Sequence, residues 1–278
     1  MKQLHMIGVL HNDPHGGNQT LRGLETLQPD VVALEWPGEE YEEFASGARI
    51  TRLRVEADER IREVLTEFCV PHEEYDEAKA RRESHFGEIA AAREYAQSSG
   101  IPLFTTESSE ERIATDERYF RDPQKAANDF RDWLCARYAR GEFYDPLLRT
   151  EFAPWEYKSF EASLREGITH EEVQRWLESG YLSTGIMNAP RTAFQTNKLV
   201  EAVSAAPRHG TIGHVGGLAH LLDNGKATPL NLYQHIRARL LQTAQVHRHS
   251  LREFSTERRI TNHEDFPTRT PLTVSIGK

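Results

Sequence analysis

Four polar residues, His11, Glu35, Glu107 and His214, stand where short apolar runs give way to loops. Two imidazoles and a carboxylate are the donor types of a catalytic metal site that keeps one position open for water or substrate. An ion held by His11, Glu35 and His214 would lower the pKa of its bound water and polarise the bond under attack. Glu107 and Asp13 are the nearby carboxylates able to assist proton transfer. No close spacing such as HExxH joins the ligands, so only the fold can bring them together. A plainer reading stays open, in which each polar residue ends its strand and hydrogen-bonds loop backbone.

The elements that must position these residues follow from apolar runs and turn residues. Residues 4 to 10 form a compact apolar run broken by His11-Asn12-Asp13-Pro14-His15-Gly16-Gly17, which predicts a buried strand entering a loop. Asn18 or Thr20 is placed to cap a helix through Leu21, Leu24 and Leu27, and Pro29-Asp30 turns the chain into Val31-Val32-Ala33-Leu34-Glu35. Strand, helix and strand within so few residues form a right-handed βαβ unit with parallel strands. Residues 37 to 87 are rich in Glu and Arg and suit exposed, ion-paired helices, with an apolar pattern at Ile61, Val64, Leu65 and Phe68.

A second helix is expected over residues 86 to 97, closed by Ser98-Ser99-Gly100, with a strand over 101 to 106. Residues 109 to 205 read as a large helical insertion capping one end of the sheet, with segments at 123 to 140, 155 to 166, 170 to 179 and 190 to 205. Thr211-Ile212-Gly213-His214 reads as a short strand or turn. Gly216-Gly217 then opens an apolar helix through Leu218, Leu221 and Leu222, whose free N–H groups would face an anionic group. Residues 230 to 252 read as a docked amphipathic helix with His247-Arg248-His249 at its exposed end. Residues 253 to 278 form a polar tail in which 272 to 276 alternate like an edge strand. The expected architecture is a single α/β domain over 1 to 252, with a central, mostly parallel sheet and flanking helices.

In such sheets ligands bind outside the carboxyl ends of the strands, so topology alone directs attention to the four polar residues. Composition narrows the partners. A net charge of −9 argues against a phosphate-binding surface, and so against nucleic acid. No run of about 18 apolar residues occurs, which argues against a membrane span and, with no apolar leader at the start, for a cytoplasmic location. Cys69 and Cys135 lack CxxC spacing, so neither a disulfide framework nor a thiolate zinc site is indicated. A peptide or small-molecule substrate is left, and a homo-oligomer is compatible with the composition.

Gly8-Val9-Leu10-His11 followed by Asp13-Pro14, and Pro29-Asp30 leading into Val31-Val32-Ala33-Leu34-Glu35, resemble the opening of TraB/TIKI-like proteins, distantly related to the erythromycin esterase and ChaN groups. Gly87-Glu88 with Ala91-Ala92 and Tyr95-Ala96 resembles the family's next helix. Arg191, six residues before Asn197, and Gly213-His214-Val215-Gly216-Gly217-Leu218 resemble its Arg-containing helix and Gly-His-Val-x-Gly turn. The resemblance is colinear over roughly residues 4 to 222. It implies a metal-dependent hydrolase of peptidase or esterase type, with manganese, cobalt or zinc on His11, Glu35 and His214 and with Arg191 holding substrate charge.

Two positions depart from the family pattern. Thr211 stands where its second motif begins with glycine, and Glu107-Ser108 replaces an expected Asp-Arg pair. These departures and the large cap also suit a regulatory protein that binds a ligand, haem or metal in the same crevice without turnover. Gly217-Leu218-Ala219-His220 matches the bare Gly-x-x-His string too, but its apolar context places His220 along a helix, behind His214.

Overall fold

The computed structural model describes residues 1–9, 13, 15–73, 75–76, 87–139, 189–221 and 232–254. His11, the helices expected at 155 to 166 and 170 to 179, Leu222 and the edge strand at 272 to 276 lie outside the described residues. Five strands, β1 (Lys2–Val9), β2 (Val31–Leu34), β3 (Leu103–Thr105), β4 (Thr211–Gly217) and β5 (Ala244–Ser250), form one sheet in the order β3-β2-β4-β1-β5. Every pairing is parallel. The expected α/β class with a parallel sheet is what the chain adopts. Strands of this kind are covered on both faces, which is why β2 reads as an uninterrupted Val-Val-Ala-Leu with all four residues buried.

The helices are α1 (Gly16–Leu27), α2 (Glu39–Ser46), α3 (Ala48–Glu67), α4 (Gly87–Ser99), α5 (Ser109–Phe120), α6 (Pro123–Ala139), α7 (Ala189–Ala205) and α8 (Leu232–Leu240). One face of the sheet is packed by α1 and α4: a Cβ on Gly213 would meet Leu24 of α1 at 3.1 Å. The opposite face carries Leu4, Met6, Ala33 and His214 beneath α7 and α8. α7 runs against the strand direction. Its Arg191 reaches carboxylates at the strand C-termini, while the carbonyls of Val203 and Ser204, at its other end, accept hydrogen bonds from Lys2 Nζ at the start of β1. Leu199, Ala202 and Val203 of α7, with Ala206 just after it, join Ile7, Leu34, Ile212 and Val215 in the main core.

Helices α2, α3, α5 and α6 pack on one another, with small apolar clusters of their own around Leu65 and Leu134. As their Glu and Arg content suggests, surface ion pairs such as Arg131–Glu67 and Arg60–Glu63 lace them. A single ion pair of this kind contributes at most about 1 kcal/mol.

Four local expectations are corrected. α1 is capped by His15 with no side-chain hydrogen bond, and Asn18 and Thr20 lie inside it. β4 continues three residues beyond His214, because β1 stays in register with it as far as Val9↔Gly217. Gly216 and Gly217 are therefore strand residues, followed by a single 3-10 turn, Leu218–Leu221, so the expected helix start with free N–H groups is not formed there. The helix expected over residues 230 to 252 is split, since α8 ends at Leu240 and Ala244–Ser250 pairs with β1 as a parallel strand. The edge of β1 left open by β4 needs a hydrogen-bonding partner, and that demand overrides the local helical pattern.

Candidate functional site

Glu35 follows the last residue of β2, and its own N–H is still bonded to the carbonyl of Val215 at 2.9 Å, so the sheet ladder fixes where its side chain begins. The carboxylate is buried, with 5% of the side chain exposed. Oε1 accepts from Arg191 Nη2 at 2.7 Å and from His220 Nε2 at 3.0 Å, and Oε2 accepts the Gly217 N–H at 2.5 Å. Arg191 also grips Glu107, donating from Nε to Oε1 at 2.9 Å and from Nη2 to the same oxygen. The guanidinium is thus shared between two strand-end carboxylates. Burial opposes its charge, but the attraction of Glu35 and Glu107 outweighs this and raises the Arg191 pKa.

His214 lies in the central strand, flanked in register by Met6 of β1 and Ala33 of β2, and is 1% exposed. Neither ring nitrogen has a hydrogen-bond partner among the described residues. Burial pushes its pKa down to about 4, with the attraction of Glu35 acting the other way, so at neutral pH the imidazole is uncharged and each nitrogen can donate or accept according to tautomer. His220 is 3% exposed; its Nε2 is tied to Glu35 and its Nδ1 has no partner. An imidazole anchored to a carboxylate through one nitrogen and open at the other is oriented as metal-ligating histidines are.

Two glycines permit this assembly. A Cβ on Gly216 would stand 2.7 Å from Glu35 Oε2, 2.8 Å from His214 Cε1 and 3.2 Å from His214 Nε2. The missing side chain leaves a small cradle bounded by a carboxylate oxygen and an unpartnered imidazole. A Cβ on Gly8 would stand 2.9 Å from the Cα of Leu218, so glycine there lets the 3-10 turn lie directly on the sheet, and this delivers His220 to Glu35.

Glu35, Arg191, Glu107 and His214 are thus brought to one end of the sheet. Asp13 is not joined to that network among the described residues. It is buried, and Oδ1 accepts the His15 N–H at 2.8 Å while its carbonyl accepts the Gly16 N–H, a turn that starts α1. His220, expected along a helix, is instead in contact with Glu35; the bare Gly-x-x-His string was the available signal, and the assumed helix hid it. Gln195, one turn after Arg191 on α7, is fully buried with both amide atoms unpartnered, and nothing in its local sequence marked it. Among the described residues no group of three His, Cys, Asp or Glu side chains is arranged to hold a metal ion. His214 and Glu35 supply two donors, and His11 is outside the described set. No described helix is long and apolar enough to cross a membrane.

No family model, curated protein or solved structure matches the chain.

Proposed function

We propose that this chain is a metal-dependent hydrolase of the TraB/TIKI-like kind, which cleaves an amide or ester bond in the crevice between the C-terminal edge of the sheet and α7. The observation that carries this reading is the Gly216 cradle, where Glu35 Oε2 and the unpartnered, neutral His214 approach one small space. Burying an imidazole with neither nitrogen satisfied costs a few kcal/mol, a cost that a bound ligand offsets. Neutral imidazole and carboxylate suit manganese, cobalt or zinc, so the donors present fit such an ion, which His214 and Glu35, together with His11, would hold.

A divalent ion bound there would supply Lewis-acid polarisation of the scissile carbonyl and a more acidic water. The chain's own residues supply the rest. Arg191 holds Glu35 and Glu107 together and offsets their mutual repulsion, so its task is to position carboxylates rather than to meet substrate charge alone. Glu107, with 14% of its side chain exposed against 5% for Glu35, is the more open carboxylate and the better placed to take a proton from water or pass one to a leaving group. His220 keeps Glu35 from rotating. The substrate is a peptide or small molecule met in the cytoplasm.

The test is metal analysis of the purified protein and of protein reconstituted with manganese, cobalt or zinc, followed by a panel of peptides and esters. The expected result is one tightly held ion per chain, lost in His214→Ala and Glu35→Ala together with turnover. Failure to retain or take up any ion would end the metal mechanism. A second reading, ligand binding without turnover, draws on the three donors already directed at Glu35; metal-dependent cleavage lost in Glu35→Ala would refute it.

A further inference from the structure

The reading above leaves a buried polar side chain without a task. Gln195 is wholly enclosed, yet among the described residues neither its carbonyl oxygen nor its NH2 has a partner. It lies on the stripe of α7 that continues as Leu199 and Ala202 into the main core, so it belongs to the helix face turned to the sheet. Replacing it with an apolar residue of similar size would remove the cost of an unsatisfied amide, and such a residue is retained where something outside the chain completes its hydrogen bonds.

Its position can be set from its neighbours. Arg191, one helical turn earlier, reaches Glu35, and because α7 runs against the strands, Gln195 stands about 6 Å further down the sheet. On the strands, about 6.6 Å spans two residues, which leads from Glu35 to Ala33 and, in register with Ala33, to His214. Since α7 packs on both β2 and β4, Gln195, on the helix face turned to the sheet, lies over the same sheet face as His214. Neither is bonded to the other, and between them they present four polar atoms without partners.

We infer that Gln195 is a ligand-contacting specificity residue, which together with His214 hydrogen-bonds a substrate group bearing both a donor and an acceptor, an amide in preference to an ester. The carboxamide decides the chemistry. Its NH2 donates to a carbonyl oxygen, which amides and esters share, but its own oxygen accepts only from an N–H, which an ester lacks. An ester in this position leaves a buried acceptor unpaired, and sites built to pair a polar group discriminate strongly against analogues that lack it. The inference rests on the proposed function in taking the crevice under α7 as the place where substrate binds.

The experiment compares binding of N-acetyl-glycyl-alanine amide with that of the analogue in which the central N–H is replaced by oxygen, measured by calorimetry at pH 7. The full-length protein is expected to bind the amide about ten-fold or more tighter than the ester. Gln195→Met, which removes both the donor and the acceptor, should bring the two affinities within about two-fold by weakening the amide more than the ester. Gln195→Glu, which keeps the shape but loses the donor, should weaken both ligands and gives a second route should the methionine variant fold poorly. Equal affinities in the unaltered protein, a preference that survives both substitutions, or no binding of either probe, as expected if Gln195 and His214 are bridged by water alone, would overturn the assignment. Because the readout is binding, a protein that holds no metal and turns nothing over would end the metal reading and leave this one standing.

Discussion

Two groups of histidines lie on opposite faces of the same parallel sheet, and they are treated differently. On the face under α7, His214 and His220 are almost completely buried and three of their four ring nitrogens have no partner among the described residues. On the other face, His5 of β1 stacks against His247 and His249 of β5 at centroid separations of 4.7 and 5.2 Å. Here the rings are half-buried and bonded along a chain: His5 Nδ1 to His249 Nε2 at 2.9 Å, His249 Nδ1 to Glu253 at 3.0 Å, and His247 Nε2 to Gln3 at 2.7 Å. The second group joins an edge strand and the following 3-10 turn (Leu251–Phe254) to the sheet and is bonded within itself and to Gln3 and Glu253. Burial without partners is the more costly state. The proposed ligand site draws on the first group, whereas the second is a piece of structure.

Glu35→Ala should break this comparison most severely. It leaves Arg191, His220 and the Gly217 N–H without their shared acceptor, and removing one partner of a buried ion pair costs about 3–5 kcal/mol. Chemical denaturation should show that loss together with loss of bound metal. A smaller change, Gly216→Ala, places a methyl group 2.7 Å from Glu35 Oε2 and 2.8 Å from His214 Cε1, an overpacking expected to cost about 1–3 kcal/mol. Its metal affinity should fall further than its stability does, which melting curves with and without metal would separate.

Acid should sharpen the contrast next. The His214 pKa is lowered to about 4 from 6.5 by burial. Between those values the unfolded chain binds more protons than the folded one, so stability falls as pH drops from 6.5 towards 4, by roughly 2–3 kcal/mol from this residue. His214→Phe should flatten that part of the pH profile. His5, also lowered to about 4, by burial and then by its two neighbouring imidazoles, acts in the same direction, but its greater exposure makes its share smaller. The smallest effect is expected from His5→Gln, at about 1 kcal/mol from the lost hydrogen bond and stacking, with metal retention unchanged. A large loss of metal in that variant would mean that the two histidine groups are coupled through β1.

Much of the α/β order was legible because short apolar runs, Pro-Asp turns and helical periods are local features. β2, α1, α4 and α7 fall close to where their residues place them. The errors share one cause. β4 extends past His214, and Ala244–Ser250 is a strand instead of a helix, because neighbouring backbone edges required pairing that no local pattern announces. Glu35 and Glu107 could be singled out by type and position, and Arg191 through the family resemblance, but that Arg191 would bridge both carboxylates depended on α7 crossing the strand ends. His220 and Gln195 were the harder cases.

By itself the sequence determined the alternation of strands and helices, the parallel pairing that follows from the βαβ unit, and the concentration of polar residues at strand ends. These depend on turn chemistry and on hydrophobic period, both encoded over a few residues. Only the tertiary structure decided which polar groups share a space. His214 and Glu35 are far apart in the chain and are brought near one another by the pairing of β2 with β4, with Gly216 leaving the space between them open. Gln195 and His214 are left without partners by the way one helix crosses one sheet. Hydrogen-bond satisfaction is a property of the packed interior, and nothing in a linear pattern states which buried group will lack a partner.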